Sequence, residues 1–365
     1  MIVITEDLAT HMRRALELAR GGWGRVHPNP MVGAVVVRDG RIVGEGFHEE
    51  YGGPHAEVIA LRAAGDAARG ATLYVTLEPC AHHGKTPPCV DAIIQAGIAR
   101  VVYAAADPNT RARGGAERLK DAGIEVIGDV ERGDARALNA QFFHLHETGS
   151  PYVALKLAMS LDAGIAKAPG VQTALTGPAA LAAMHRLRSG YDAILVGIGT
   201  VLCDDPLLTV RDAPVRKPPV RIIADTHARL PLESRLVQTI AEAPVWLLCA
   251  EDAPQDRVEA LGRAGVRVLR VPRQREHIDM KSAIATLGEE GIQSVFSEGG
   301  AALAGTLLEI DAVHRMYIFL APLFLGPGAV PAFGLTHPEQ DRWRCTSTEW
   351  HGSDVLVTMD LPQDA

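Results

Sequence analysis

Residues 54–89 decide the fold of the first half of the chain and read PHAEVIALRAAGDAARGATLYVTLEPCAHHGKTPPC. Pro54-His55 precedes an apolar pattern typical of a helix, because proline is favoured in the first helical turn. Residues 72–77 predict a strand, and Pro87-Pro88-Cys89 predicts the start of a second helix. This alternation of helix and strand predicts an α/β layer with a largely parallel sheet.

Four side chains of this stretch have the chemistry of a zinc site: His55, Glu57, Cys80 and Cys89. Zinc accepts imidazole and thiolate ligands, and a catalytic site leaves one position open for water. The order of the residues is similar to the zinc-deaminase signature, in which H-x-E precedes P-C-x-x-C, although eight residues separate the two cysteines here. The pattern predicts that His55, Cys80 and Cys89 bind one zinc ion per chain. Glu57 would carry a proton from water to a departing amine. A structural zinc site and a site without metal are the alternatives.

The predicted helices constrain the geometry of this site. Residues two apart do not share a face of an ideal helix, so His55 and Glu57 can meet one metal only at the mouth of the helix. Cys89 would begin the second helix, where the pKa of a thiol is lowered and the thiolate is favoured. The sequence therefore predicts two helix N-termini directed at one metal.

Length and composition limit the classes of protein to which the chain can belong. The chain has 365 residues, of which 47% are hydrophobic and 22% are charged, and this predicts two globular domains. A formal net charge of −8 argues against a broad nucleic-acid interface, which is normally basic. Five scattered cysteines do not indicate a disulfide framework, so we expect a reduced, cytoplasmic compartment. The N-terminal residues lack the pattern of a secretory signal peptide.

The turn-forming residues 147–151 predict the domain boundary, which gives domains at 1–148 and 149–365. In the first domain the patterns predict the elements 6–20 (helix), 32–37 and 41–47 (hairpin), 100–105 (strand), 115–122 (helix), 124–127 (strand) and 131–146 (helix). In the second they predict strands at 152–158, 193–196, 220–224, 245–249, 266–270, 292–296, 313–320 and 355–361, with helices at 178–188, 254–263, 280–289 and 300–309. The charge-free residues 316–335 contain prolines and glycines, which favour a strand and a buried loop over a membrane span.

Several features of the second domain suggest a ligand site. Residues 196–202 begin like a dinucleotide fingerprint but lack its third glycine, so a Rossmann domain is not supported. Residues 297–300 read SEGG before a helix, which predicts either a phosphate site or an ordinary tight turn. Lys156 interrupts an apolar strand and is either a site residue or an edge-facing lysine. Arg211 could hold a phosphate in fork geometry.

The motifs taken together resemble one family. The chain contains, in order, HPNPMVGA, GGPHAE, TLEPCAHHGKTPPC, DPN, LKLAMSLD, GTVLCDDPLLTVR and SEGG. Over essentially its whole length it resembles the bifunctional riboflavin-biosynthesis deaminase/reductases. That resemblance implies an α/β protein with a cytidine-deaminase-like N-terminal domain, 1–148, and a dihydrofolate-reductase-like C-terminal domain, 149–365.

The resemblance also implies an activity for each domain. The first would use zinc to deaminate 2,5-diamino-6-(ribosylamino)-4(3H)-pyrimidinone 5′-phosphate, and the second would use NADPH to reduce the ribosyl group to ribityl. It implies that the deaminase pocket contains Asn29, His48, His82, Lys85, Asp107 and Asn109. It implies NADPH contacts at Ala158, Ala174, Thr200, Asp204, Thr226, Gly300, Ala301, Ala302, Leu303, Ala304, Gly305 and Thr306. The reductase substrate would contact Lys156, Gln172, Leu208, Arg211 and Glu298.

Two segments depart from the family pattern. The family usually shows S-L-D-G-K and S-x-W-I-[ST], whereas residues 160–164 read SLDAG and residues 172–176 read QTALT. The D-P-N segment also continues differently, as TRARGG at 110–115. A deaminase with an impaired or inactive reductase domain is therefore the alternative to the bifunctional enzyme. A zinc-stabilised scaffold and a nucleic-acid deaminase are further alternatives. The resemblance also suggests a homo-oligomer, and the charge and apolar patterns predict that it binds neither nucleic acid nor membrane.

Overall fold

The computed structural model describes residues 6–82, 87–110, 112–334 and 342–361. The chain divides into two compact units between Gly149 and Ser150, one residue after the predicted boundary. Within the described ranges, no helix combines the length and the apolar character needed to cross a membrane.

The first unit alternates helices and strands. Its elements are α1 (Glu6–Ala19), β1 (Gly33–Arg38), β2 (Arg41–Phe47), α2 (Ala56–Ala64), β3 (Thr72–Leu77), α3 (Cys89–Ala96), β4 (Arg100–Ala105), α4 (Gly115–Asp121), β5 (Glu125–Ile127), α5 (Arg132–Leu138) and α6 (Ala140–Thr148). The sheet has the order β2-β1-β3-β4-β5. Only β3, β4 and β5 pair in parallel, because the β1–β2 hairpin adds two antiparallel pairings at one edge. The expectation of a largely parallel sheet is therefore wrong for this unit.

Both faces of this sheet are covered, and strand β1 shows why. Successive side chains of a strand point to opposite faces. Ala34 and Val36 belong to the core that packs under α2, α3 and α4, whereas Val35 and Val37 belong to the core under α1, α5 and α6. An unbroken apolar run thus produces a three-layer unit with the sheet in the middle.

The predicted helix 131–146 is broken at Asn139, which separates α5 from α6. Asn139 has φ −109° and ψ 31°, outside the helical range. Its buried side chain hydrogen-bonds the backbone of Met31 instead of pointing into solvent. The apolar periodicity continues across the break, so the sequence pattern did not reveal it.

The second unit is also α/β. Its elements are β6 (Tyr152–Ser160), β7 (Gly164–Ala166), α7 (Pro178–Arg188), β8 (Ala193–Gly197), α8 (Ile198–Asp204), β9 (Val220–Ala224), α9 (Arg235–Gln238), β10 (Val245–Ala250), α10 (Gln255–Arg263), β11 (Arg267–Val271), β12 (Arg273–Gln274), β13 (His277–Ile278), α11 (Met280–Glu289), β14 (Ser294–Ser297), α12 (Ala301–Glu309), β15 (Arg315–Ala321), β16 (Val330–Pro331), β17 (Arg344–His351) and β18 (Asp354–Asp360). The nine-stranded sheet has the order β11-β10-β9-β8-β14-β6-β15-β18-β17. It is parallel from β11 to β15, while β18 and β17 add antiparallel strands at one edge.

The predicted elements of this unit lie within two residues of the observed ones, but the sequence missed several others. The largest omission is β17, an edge strand whose side chains are mostly exposed and which therefore lacks apolar alternation. The predicted strand at 313–320 is confirmed as β15. The loop after it is not buried as expected, since Phe324 is 74% exposed. Leu335, the last residue of the predicted segment, lies outside the described ranges.

Arg221 in β9 is fully buried and is expected to be important for the stability of this unit. Its guanidinium donates to the carbonyl oxygens of Leu207, Thr239 and Ala243 at 3.1, 2.9 and 2.6 Å. The variant Arg221→Met would leave these carbonyls without a donor, so we expect the free energy of unfolding to fall by about 3 kcal/mol. Urea denaturation of the full chain would measure this free energy. The control Arg263→Met removes only an exposed ion pair with Glu259 and should change stability by less than about 0.5 kcal/mol. Similar small losses in both variants would contradict this role.

Candidate functional site

A cavity of about 250 Å³ lies in the first unit at the carboxyl ends of the parallel strands β3 and β4. Residues that follow these strands and residues near the N-terminus of α2 form its walls. Of the residues predicted from the sequence, it is lined by Asn29, His48, His55, Glu57, Cys80, His82, Asp107 and Asn109. Lys85 lies outside the described residues. The structure also adds Tyr51 and Phe142, to which the sequence gave no role.

The three predicted zinc ligands come together beside this cavity. His55 is the N-cap of α2, Cys89 is the first residue of α3, and Cys80 follows β3. The Nδ1 atom of His55 lies 3.1 Å from Sγ of Cys89 and 3.6 Å from Sγ of Cys80. All the ligand atoms lie within 4.8 Å of one another. Donors bound to one tetrahedral zinc ion are roughly 3.5 Å apart, so this group fits the metal in both chemistry and spacing.

The environment of Cys80 favours the thiolate that zinc requires. Its Sγ accepts hydrogen bonds from the Cys89 thiol, from His55 and from the Cys89 backbone N–H, and these lower the pKa of Cys80 well below its ordinary value. A sulfur atom held in this way is a ready metal ligand at neutral pH. The hydrogen bond to Cys80 and burial raise the pKa of the Cys89 thiol, so the lowered pKa expected from its helix start is wrong. His55 and Cys80 line the cavity, so the metal group opens towards it.

Glu57 lies in the first turn of α2, two residues after His55, and is only 3% exposed. Burial raises the pKa of its carboxyl group, and the nearby His55 opposes this shift. A raised pKa makes a carboxylate a better proton acceptor, which suits a group that takes up and releases a proton. The N-cap position of His55 lets both residues face one point at the mouth of the helix.

His48 and Asn29 form a fixed polar pair in the cavity wall. The Nδ1 atom of His48 lies 3.0 Å from the carbonyl oxygen of Pro54, which can only accept, so Nδ1 carries the proton. Burial lowers the pKa of His48 and keeps the ring neutral. Its Nε2 atom therefore accepts from the Asn29 side-chain amide at 3.0 Å. This network fixes the orientation of both groups.

Glu78 also lines the cavity, and the sequence gave it no role in the site. Its carboxylate accepts from the backbone N–H groups of Asp107 at 3.3 Å and Ala116 at 3.1 Å. Asp107 in turn accepts from the Asn109 N–H at 2.9 Å. Burial raises the pKa of Asp107 to about 6. Glu78 directly follows β3, and its carboxylate thus binds the loop after β4, where the D-P-N motif lies.

In the second unit, the predicted NADPH positions other than Ala174 lie in or after four neighbouring strands of the large sheet. Strands β9, β8, β14 and β6 are parallel neighbours, and their carboxyl ends are the usual place for a ligand in such a sheet. The predicted residues lie in or after these strands: Ala158 in β6, Thr200 and Asp204 in α8, Thr226 after β9, and Gly300 to Thr306 at the start of α12. Ala174 is exposed in the segment between β7 and α7.

Two charged side chains of the predicted reductase site, Lys156 and Glu298, form a buried cluster with a third residue, Arg188. Glu298 accepts two hydrogen bonds from Arg188, and Nζ of Lys156 lies 4.0 Å from its carboxylate. Arg188 also donates to the carbonyl oxygen of Thr209 at 2.9 Å. The sequence indicated Lys156 and Glu298 but missed Arg188, because its partner lies 110 residues away. Lys156 is therefore a paired residue and not an edge-facing one.

The other predicted substrate residues of the reductase are more dispersed. Arg211 donates from its guanidinium to His185, which lies on α7 three residues before Arg188. Leu208 is buried and packs in the core on one face of the sheet. Gln172 is exposed in the same segment as Ala174.

Comparison with protein families gives a consistent result for the two units. The family described as "Cytidine and deoxycytidylate deaminase zinc-binding region" matches residues 5–105. The family described as "RibD C-terminal domain" matches residues 151–357. The two matches lie in the two compact units.

Similar proteins match nearly the whole chain. It is 42% identical over 332 residues to the riboflavin biosynthesis protein RibD of Escherichia coli, covering 87% of this chain and 89% of that protein. It is 41% identical over 358 residues to RibD of Aquifex aeolicus, covering 97% of this chain and 99% of that protein.

Solved structures show the same relationship. The structure of Acinetobacter baumannii RibD is similar with a TM-score of 0.84 and 36% identity, covering 98% of this chain and 99% of that chain. A diaminohydroxyphosphoribosylaminopyrimidine deaminase/5-amino-6-(5-phosphoribosylamino)uracil reductase of Thermotoga maritima has a TM-score of 0.82 and 37% identity, with the same coverage.

Proposed function

Because the chain belongs to the RibD family of bifunctional riboflavin-biosynthesis deaminase/reductases, we propose that it catalyses two successive steps on one phosphorylated pyrimidine ribonucleotide. The first is hydrolytic deamination of 2,5-diamino-6-(ribosylamino)-4(3H)-pyrimidinone 5′-phosphate. The second is NADPH-dependent reduction of the ribosyl side chain to ribityl. The name of the Thermotoga maritima relative supports this substrate class.

The observation that best supports the first step is the convergence of His55, Cys80 and Cys89 beside a cavity that Glu57 also lines. Bound to this group, zinc would act as a Lewis acid and lower the pKa of water. Glu57 is buried next to the ligands and would take a proton from water and give it to the departing amine. Asn29 would hold the pyrimidine ring through a hydrogen bond, and His48 would fix the direction of the Asn29 amide. Asp107 and Asn109, together with His82, would contact the substrate from the other side.

Two features support the second step: the start of α12 and the buried cluster of Lys156, Arg188 and Glu298. Gly300 precedes α12 without a side-chain cap, so backbone N–H groups at this helix start are available to a phosphate group of NADPH. Lys156 and Glu298 would contact the substrate, with Arg188 fixing the carboxylate. The hydride comes from the cofactor, and the chain's role is to orient the two partners.

The alternative of an impaired reductase rests only on the altered residues near Gln172 and Ala174. The segment is anchored, because Lys167 N–H donates to Thr173 and Gly177 N–H donates to Asp354. The family match extends across it, from residue 151 to residue 357. These observations favour a working reductase, and neither a non-catalytic scaffold nor a nucleic-acid deaminase gains support from them. We also propose a cytoplasmic homo-oligomer that uses one zinc ion per chain and NADPH.

A coupled assay tests the function. The purified protein would receive zinc, the diaminopyrimidinone ribonucleotide and NADPH, while ammonia release and NADPH oxidation are followed together. We expect both signals, with NADPH oxidation dependent on prior deamination. Ammonia without NADPH oxidation would show that the altered segment has cost the reductase its activity. If neither signal appears while zinc is bound, the proposed substrate is wrong.

A further inference from the structure

A short segment of the deaminase cavity wall has an unusual support. Asn29, Pro30 and Val32 line the cavity, whereas Met31 between them does not. The side chain of Met31 packs instead in a small apolar cluster with Ala19 and Val26. The segment 29–32 therefore presents three residues to the cavity and turns the fourth into the protein interior.

The backbone of Met31 is held by one distant side chain. The Met31 N–H donates to Oδ1 of Asn139 at 2.8 Å, and Nδ2 of Asn139 donates to the Met31 carbonyl oxygen at 2.9 Å. Asn139 is 5% exposed and lies 108 residues further along the chain. Its amide pairs with both backbone groups of Met31, as a neighbouring β-strand would do. This pairing satisfies two buried polar groups and restricts how the segment can move.

The position of Asn139 at the break between α5 and α6 connects this support to a second part of the cavity. Phe142, three residues later, also lines the cavity. Leu138, the preceding residue, packs against the same apolar cluster as Met31. A continuous helix over 131–146 would not present the Asn139 amide in the same way, so the break itself contributes to the contact.

We propose that Asn139 is a positioning residue of the deaminase, which holds residues 29–32 so that Asn29 meets both His48 and the substrate. The inference rests on the proposed function, because it assigns the cavity to the pyrimidine substrate. Asn139 does not line the cavity and acts only through the backbone of Met31. Displacement of a group that binds the substrate weakens substrate binding, and this raises KM more than it lowers kcat.

The variant Asn139→Leu has a side chain of similar size that forms no hydrogen bond. We expect KM for deamination to rise about 10-fold while kcat falls less than about threefold, because Glu57 and the zinc ligands do not contact Asn139. The zinc content should stay at the wild-type level. NADPH oxidation with the deaminated intermediate supplied directly should be unchanged, because that activity belongs to the other unit.

Met31→Leu is the matched control, because it changes the side chain but keeps the two backbone groups that Asn139 binds. Its KM should stay within twofold of the wild-type value. Asn139→Asp has the same shape and keeps the oxygen that accepts from the Met31 N–H, but its second oxygen cannot donate to the Met31 carbonyl oxygen, so KM should rise in this variant as well. It also decides the matter if Asn139→Leu does not fold.

An unchanged KM in a zinc-loaded Asn139 variant would overturn the proposal. A loss of kcat and zinc together in Asn139→Asp, without a change of KM, would also overturn it and indicate a purely structural role. Failure of the proposed function is distinguishable, because the wild-type protein would then fail to deaminate the diaminopyrimidinone ribonucleotide at all.

Discussion

Glu57→Gln is expected to lower the rate of deamination by a factor of about 10² to 10⁴ while leaving the protein folded and able to bind zinc. Glutamine has nearly the same shape as glutamate but cannot take up and release a proton. Glu57 is buried and lines the cavity next to the ligand group, whereas it is not itself a member of that group. Loss of the Glu57 carboxylate should therefore slow proton transfer without weakening zinc binding.

The experiment needs readouts that separate these effects. Ammonia release measures the deaminase, elemental analysis measures bound zinc, and NADPH oxidation with the deaminated intermediate measures the reductase. Glu117→Gln is a suitable control, because Glu117 is an exposed glutamate in the first turn of α4. It should leave every value within twofold. A Glu57→Gln protein that deaminates at the wild-type rate with zinc bound would show that another group moves the proton.

The grouping of His55, Cys80 and Cys89 could be predicted because these residues lie in short, continuous motifs. His55 and Glu57 are two residues apart, and Cys89 follows prolines that favour a helix start. Local rules for helix starts and strand ends were enough to predict that both helix N-termini are directed at one metal site. The structure has this arrangement, with His55 as the N-cap of α2 and Cys89 as the first residue of α3.

The supporting contacts could not be predicted, since each joins residues far apart in the sequence. Asn139 reaches Met31, Glu78 reaches the N–H of Ala116, and Arg188 reaches Glu298. Nothing in the sequence around these polar residues distinguishes them from ordinary surface residues. The break at Asn139 is a consequence of such a contact, which overrides the helical periodicity of the surrounding residues.

Edge strands were a second source of error. The hairpin of β1 and β2 was recognised, but its antiparallel pairing with β3 was not, because the direction in which strands pair is decided by the whole sheet. The exposed strand β17 has no apolar face for a pattern to reveal. The interior strand β8, by contrast, is apolar on both faces and was found within one residue of its bounds.

Glu298→Gln is the corresponding test of the second unit, and we expect it to lower both reductase activity and stability. The carboxylate lies between Arg188 and Lys156, and all of these side chains are largely buried, with exposed fractions of 7%, 9% and 17% for Glu298, Arg188 and Lys156. A neutral amide would leave two buried cations without a counter-charge. Breaking a buried ion pair in this way costs about 3–5 kcal/mol. NADPH oxidation with the deaminated intermediate should fall by about 10²-fold, while ammonia release should be unchanged.

The pH dependence of stability distinguishes this charge effect from a general loss of packing. Burial alone would raise the pKa of Glu298, but Arg188 and then Lys156 outweigh it, so the pKa lies below its ordinary value of 4.5. The stabilisation is therefore present above about pH 4.5 and is lost as the pH falls through the lowered folded-state pKa. The difference in unfolding free energy between the wild-type protein and Glu298→Gln should be largest at neutral pH and shrink in acid. The control Glu259→Gln removes an exposed pair with Arg263 and should show little difference at any pH. A difference for Glu298→Gln that stays constant from pH 7 to pH 3 would mean that the charge of Glu298 does not stabilise the cluster.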